Sequence, residues 1–221
     1  MTKILILGGG GMVGQKLANH LLASSLPGHK TLDITLFDMA FPLKQDGRLS
    51  CITGSLTDAQ NITMLAQLRP DLIFHLASIV SGEAESNFDA GWQVNMFTMW
   101  HYLEAVRKLH LETGGTYVPK IIFTSSSAVF GGPFPEQIDD TFLSAPQTSY
   151  GAQKASCELL LSDFSRKGFV DGISLRLPTI CVRPGKANLA ASSFFSGVIR
   201  EPLNGQKAIL PCLLYTSPSP R

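Results

Sequence analysis

The chain has almost no net charge: among its 221 residues, 18 Lys and Arg stand against 17 Asp and Glu, a formal +1. No face is expected to be basic enough to hold a nucleic acid or an acidic membrane surface, so neither is expected as a partner. Apolar residues make up 44% of the chain, yet no run approaches the length of a membrane span. Cysteine is scarce. Cys51, Cys157, Cys181 and Cys212 lie far apart without metal-ligand spacing, and the five histidines form no cluster. No metal is expected, and the thiols read as reduced ones in the cytoplasm. Met1-Thr2-Lys3 leads into a short apolar run that meets glycine at once, unlike a secretory signal. A soluble globular chain with ample core remains.

Its organising stretch is the first turn. Lys3 to Leu7 is a short apolar run with β-branched residues, the pattern of a buried parallel strand, and Gly8-Gly9-Gly10-Gly11-Met12-Val13-Gly14 follows it. Met12, Val13, Leu17, Ala18, Leu21 and Leu22 then recur at helical spacing. A helix N-terminus has unpaired N–H groups and partial positive charge, so Met12 and Val13 open a seat for a pyrophosphate. The glycines fit two registers: Gly9, Gly11 and Gly14, or Gly8, Gly11 and Gly14; both place a dinucleotide here. A triphosphate-binding loop is nearly matched, but Gln15 stands where that motif needs lysine. The next strand, Leu32 to Asp38, ends in a carboxylate placed to accept from adenosine ribose hydroxyls. No arginine follows before Arg48, which predicts NAD rather than NADP.

Further along, Arg48 to Thr53 reads as a short strand, with Thr57 and Gln60 spaced as a capping box for the following helix. Asp71 to Leu76 is a fourth strand, and the small Ala77 and Ser78 at its end suit close approach of a ligand; His75, inside the apolar run, reads as packed core. A helix is expected from Asp89 to Leu111, with Trp92, Met96, Trp100, Leu103 and Val106 on one stripe, widened by Phe97 and Met99, buried in the core or against a second subunit in a homodimer. Asn95 interrupts that stripe and needs partners if buried. Lys120 to Thr124 is a fifth strand running into Ser125-Ser126-Ser127, and Ser149 is placed to cap a helix ending near Gly168. Asp171 to Leu177 is a sixth strand. A loop to Asn188, a helix from Ser192 to Arg200 and the stretch from Gln206 to Leu210 come after it.

Tyr150 and Lys154 are four apart and share one helix face. A nearby ammonium, with the positive charge of an oxidised nicotinamide, favours the phenolate and suits Tyr150 to act as a general base, while Ser126 would hold the substrate oxygen. Arg183 and Lys186, in the loop after the sixth strand, are the candidates by charge for a carboxylate.

Together, Gly8-x-x-Gly11-x-x-Gly14, Asp38, Ser125-Ser126-Ser127 and Tyr150-Gly151-Ala152-Gln153-Lys154 resemble the extended short-chain dehydrogenases/reductases, in their epimerase/dehydratase branch. Ser78 to Glu85, Pro146 to Tyr150, Arg176 to Lys186 and Phe194 to Leu203 resemble most closely those members that oxidise the C2 hydroxyl of a four-carbon sugar acid with NAD. The resemblance implies an α/β Rossmann fold with a doubly wound parallel sheet. It implies a catalytic group of Ser126, Tyr150 and Lys154, with Asn95 supporting the lysine through water. It also implies Leu56, Leu76 and Ala77 against adenine and ribose, Pro178 and Thr179 at the nicotinamide end, and Ser78 as a substrate contact. Ser55 stands at the adenine where many relatives have an acid, and Phe130 replaces a frequent tyrosine. A sugar-nucleotide epimerase or dehydratase and a silent dinucleotide sensor are the alternatives.

The expected division is an NAD-binding Rossmann domain at 1–185 and the beginning of a smaller C-terminal substrate-binding region at 186–211. Residues 212–221 read as the translation of a transposon-derived sequencing adaptor, the alternative being a Ser/Pro-rich terminus. On the adaptor reading the frame continues past Pro211, and this polypeptide is expected to show little or no turnover.

Overall fold

The computed structural model describes residues 1–24, 26–29, 31–139, 141–190 and 192–210; the expectation for 212–221 lies outside them. In chain order the elements are β1 (Thr2–Leu7), α1 (Met12–Ala23), β2 (Leu32–Asp38), β3 (Leu49–Thr53), α2 (Ala59–Gln67) and β4 (Leu72–His75). Three helical pieces follow, α3 (Ser81–Ser86), α4 (Phe88–Trp92) and α5 (Thr98–Glu112), with a π-turn over Gln93–Phe97 between the last two. The remainder is β5 (Lys120–Ser126), a 3-10 turn at Ser127–Val129, α6 (Ser149–Arg166), β6 (Asp171–Leu177) and α7 (Ser193–Leu203).

The six strands form one parallel sheet in the order β3-β2-β1-β4-β5-β6. Strand order reverses between β1 and β4, so connections leave their carboxyl ends in opposite directions and open a crevice there. Alternate residues of β1 serve both faces. Ile4 and Ile6 pack with Ala18 and Leu21 of α1 on one side. Leu5 and Leu7 join Leu65 of α2, Leu103 and Val106 of α5 and Leu161 of α6 on the other. This is the doubly wound α/β fold expected. At the sheet's rim, β6 pairs among the described residues only with β5 and leaves Ile173 and Leu175 exposed. No helix among the described residues is long and apolar enough to cross a membrane.

Local details differ from the sequence reading. Asp58, not Thr57, caps α2, its side chain accepting from the Gln60 amide. Thr148, not Ser149, caps α6 by accepting from the Gly151 amide. Both pairs are adjacent good caps, and the angle at which the chain enters the helix selects one of them. The stretch from 88 to 112 is one helical rod whose π-turn rotates the buried stripe: Met99, Tyr102, Leu103 and Val106 are buried, while Phe97 and Trp100 are exposed. Thr148→Ala should lower stability by about 1 kcal/mol in a denaturant titration, because it strips the cap from the helix that carries Tyr150.

Candidate active site

The glycine turn is shaped by close approach. Gly8 has φ +86°, and a Cβ there would stand 2.7 Å from the Ala77 amide nitrogen at the end of β4; one on Gly14 would stand 2.3 Å from the Gly8 carbonyl oxygen. The Gly8 and Gly9 amides donate to the Phe37 carbonyl, and Gln15 Nε2 braces the turn by donating to the Gly9 carbonyl at 2.7 Å. Gly11 is different. A Cβ there would meet only the Gly8 carbonyl, at the ordinary distance of 3.4 Å. The protein does not itself require glycine at 11, so the space serves what lies outside the turn, above the α1 N-terminus where Met12 and Val13 begin the helix and no side chain caps it. Asp38 closes the other wall. Its Oδ2 accepts from the Gly10 amide and its Oδ1 from the Met39 amide, at 2.9 and 2.7 Å, which fixes the carboxylate with one further lone pair on each oxygen.

Below the turn, Leu76 and Ala77 are half-buried and Leu56 is buried beside α2. The Ser55 hydroxyl is engaged with Thr57 Oγ1 at 2.8 Å, within its own turn.

A cleft of about 410 Å³ opens past β4 and β5, lined by Leu76, Ser78, Ser126, Tyr150, Lys154 and Thr179 among others, with Pro178 at its edge. Lys154 is buried, its Nζ donating to the Thr124 carbonyl at 2.9 Å, 4.7 Å from the Phe123 ring centre and 5.5 Å from that of Tyr150. Burial brings its ammonium down to about 8. Burial pushes the Tyr150 phenol up, and a hydrogen bond with the Ser78 hydroxyl pulls it back in part. Ser126 Oγ accepts from the Ala128 amide at 3.1 Å, which aims the hydroxyl at the start of the 3-10 turn. Buried His75 packs edge-on against Phe123, and desolvation with the Lys154 charge lowers its imidazole to about 3, so it is neutral core as expected.

Asn95 lies in the π-turn, buried, and finds the partners its position demanded. Its Oδ1 accepts from the Ile79 amide and the Ser78 hydroxyl, and its Nδ2 donates to Gln153 Oε1. It reaches Tyr150 through Ser78. Arg183 and Lys186 are not part of the cleft lining: the Arg183 guanidinium turns to the Lys186 carbonyl at 2.6 Å, and its backbone is held by Ser196 and Arg200 of α7. The sequence reading passed over Glu158, which accepts from Ser125 and pairs with Arg176 at 2.7 Å, and over Gln153. Four-residue spacing from Lys154 was the available signal for Glu158. Among the described residues no group of His, Cys, Asp and Glu could hold a metal ion.

Residues 4–221 match the model of the NAD dependent epimerase/dehydratase family. The chain belongs to that family. Its cofactor is NAD. Within the family the chain is similar to the D-erythronate dehydrogenases of Haemophilus influenzae, 46% identical over 213 residues, and Cupriavidus necator, 46% identical over 217. Those matches cover 95% and 94% of this chain but 64% of each relative, so the chain spans just under two thirds of their length. Among solved structures it is similar to a nucleoside-diphosphate-sugar epimerase from Agrobacterium tumefaciens, with a TM-score of 0.87 and 48% identity over 96% of this chain and 63% of that one.

Proposed function

We propose that this epimerase/dehydratase family member belongs to an NAD-dependent dehydrogenase that oxidises the C2 hydroxyl of a four-carbon sugar acid, D-erythronate, to the 2-oxo acid. The observation that carries the reading is the pairing of Tyr150 with buried Lys154 on one helix face at the mouth of a cleft continuous with Leu76; the names of the two 46%-identical relatives support it. In this reading the Tyr150 phenolate, steadied by Lys154, takes the proton from the C2 hydroxyl and becomes the phenol, while Ser126 and Ser78 hold that oxygen. When bound, NAD accepts the hydride that leaves C2. No cation other than Lys154 lines the cleft among the described residues, and Arg183, as oriented, has no part in the proposal.

The residues present fit the cofactor, since Gly11 leaves a hollow that any Cβ would fill and that the turn's own packing does not need. Gly8, Gly11, Gly14, Met12 and Val13 would face the pyrophosphate, Asp38 the adenosine ribose, Ser55, Leu56, Leu76 and Ala77 the adenine side, and Pro178 and Thr179 the nicotinamide end. Asp38→Ala should weaken NADH binding about tenfold while leaving NADPH binding little changed, read by fluorescence titration of both. We place the NAD-binding unit at 1–185 and a substrate-binding region from 186 to 211, in a cytoplasmic protein. The exposed Phe97 and Trp100 on the 88–112 rod are the surface proposed for a homodimer.

The similarity to a solved chain named as a nucleoside-diphosphate-sugar epimerase favours one second reading, epimerisation of a nucleotide sugar. Net NADH release from D-erythronate, with none from UDP-sugars, distinguishes the two. Epimerised UDP-sugar, with no net NADH released from D-erythronate, would replace the first reading by the second.

A further inference from the structure

Gln153 stands between Tyr150 and Lys154 and is fully buried. Its amide orientation follows from a backbone group. The Ile79 N–H can only donate, so the Asn95 atom 2.8 Å from it is Oδ1, and Nδ2 must find an acceptor. Gln153 Oε1 is the nearer acceptor, at 2.7 Å, and the Ile79 carbonyl takes the second N–H at 3.3 Å. The consequence is a loose end: Gln153 Nε2 is buried with no partner, packed over Gly91, where a Cβ would lie 2.5 Å from it. An unsatisfied buried amide costs about 1–3 kcal/mol, which an apolar side chain of equal volume would avoid. The cost is consistent with a use for the acceptor oxygen.

That use lies at the other end of Asn95. Its Oδ1 takes the Ser78 hydroxyl at 2.9 Å, and Ser78 lines the same cleft as Tyr150. One turn after Gln153, the Cys157 thiol donates to the Asn95 carbonyl at 3.1 Å, so α6 grips the π-turn at two points. We propose that Gln153 is a positioning residue: by holding the Asn95 amide it holds Ser78 in the cleft wall that Tyr150 shares, tying the π-turn to the helix that carries the reacting side chains. This rests on the dehydrogenase reading for its catalytic meaning, though not for its geometry.

The test therefore has an arm that needs no turnover. In Gln153→Met, hydrogen exchange at the Ile79 amide should speed up about tenfold relative to β1 and α5 amides in the same molecule. Gln153→Glu, which keeps an acceptor oxygen on Asn95, should restore the parent rate. In an Asn95→Ala background Gln153→Met should have no further effect on that amide, since the two act as one unit. With D-erythronate and NAD, kcat for Gln153→Met should fall about tenfold with NADH affinity unchanged. Uniform acceleration of all amides, or additive effects of the two substitutions, would reduce Gln153 to core filling and overturn the proposal. If the parent protein shows no turnover, the exchange arm alone decides on Gln153.

Discussion

Tyr150→Phe should reduce NADH formation from D-erythronate by about 10²–10⁴-fold, the range general-base catalysis contributes, while the protein keeps its fold and its affinity for NADH. The phenol oxygen is the only atom removed. The Ser78 hydroxyl, in the same cleft lining, retains Asn95 Oδ1 and the Ile79 carbonyl, so nothing buried is left stranded. The ring remains to flank Lys154. A steady-state assay beside a fluorescence titration separates lost chemistry from lost binding. Turnover within threefold of the parent would remove Tyr150 from the reaction and, with it, the proposed mechanism.

The second large effect distinguishes glycines that look alike in sequence. Gly14→Ala should destabilise the protein severely, because its Cβ would stand 2.3 Å from the Gly8 carbonyl and 2.8 Å from Gly9 Cα, both backbone atoms that cannot yield without opening the turn. Gly11→Ala should leave the melting temperature within a few degrees of the parent, since its Cβ meets only one atom at 3.4 Å and Gly11 has φ −73°, open to any residue. Yet it should abolish detectable NADH binding at concentrations that saturate the parent, by filling the hollow over α1. Thermal melts and cofactor titrations on the two variants form a crossed pair. An alanine at 11 that binds NADH normally would mean that the pyrophosphate does not lie there.

The sheet was legible because its signals are local. Each strand is a short apolar run closed by glycine, proline or a polar turn, and the bounds of β2 and β6 agree with those read from sequence. Asp38, Tyr150 and Lys154 were found by spacing within single elements. The rest depends on partners distant along the chain. The π-turn is invisible to periodicity, since Asn95 is turned inward by the amide of Ile79, 16 residues away, and by Gln153, 58 away. The six-residue α3 has too few apolar positions to register as a helix. Arg183 reads as a free cation, but its direction is set by Lys186, Ser196 and Arg200. Charge and location in a loop do not reveal which way a guanidinium points.

The outer rim of β6 has a consequence for handling the protein in solution. Its backbone groups on that side have no strand partner among the described residues, Ile173 and Leu175 stand beside them, and Arg176, the strand's only cation, is committed to Glu158. Asp171 is likewise paired, with Lys120, and a border whose charges are taken up in this way can template the addition of any extended chain that meets it. Colloidal behaviour at high concentration is thus governed by a surface remote from the glycine turn, and a polar residue at 173 would improve solubility without touching the chemistry.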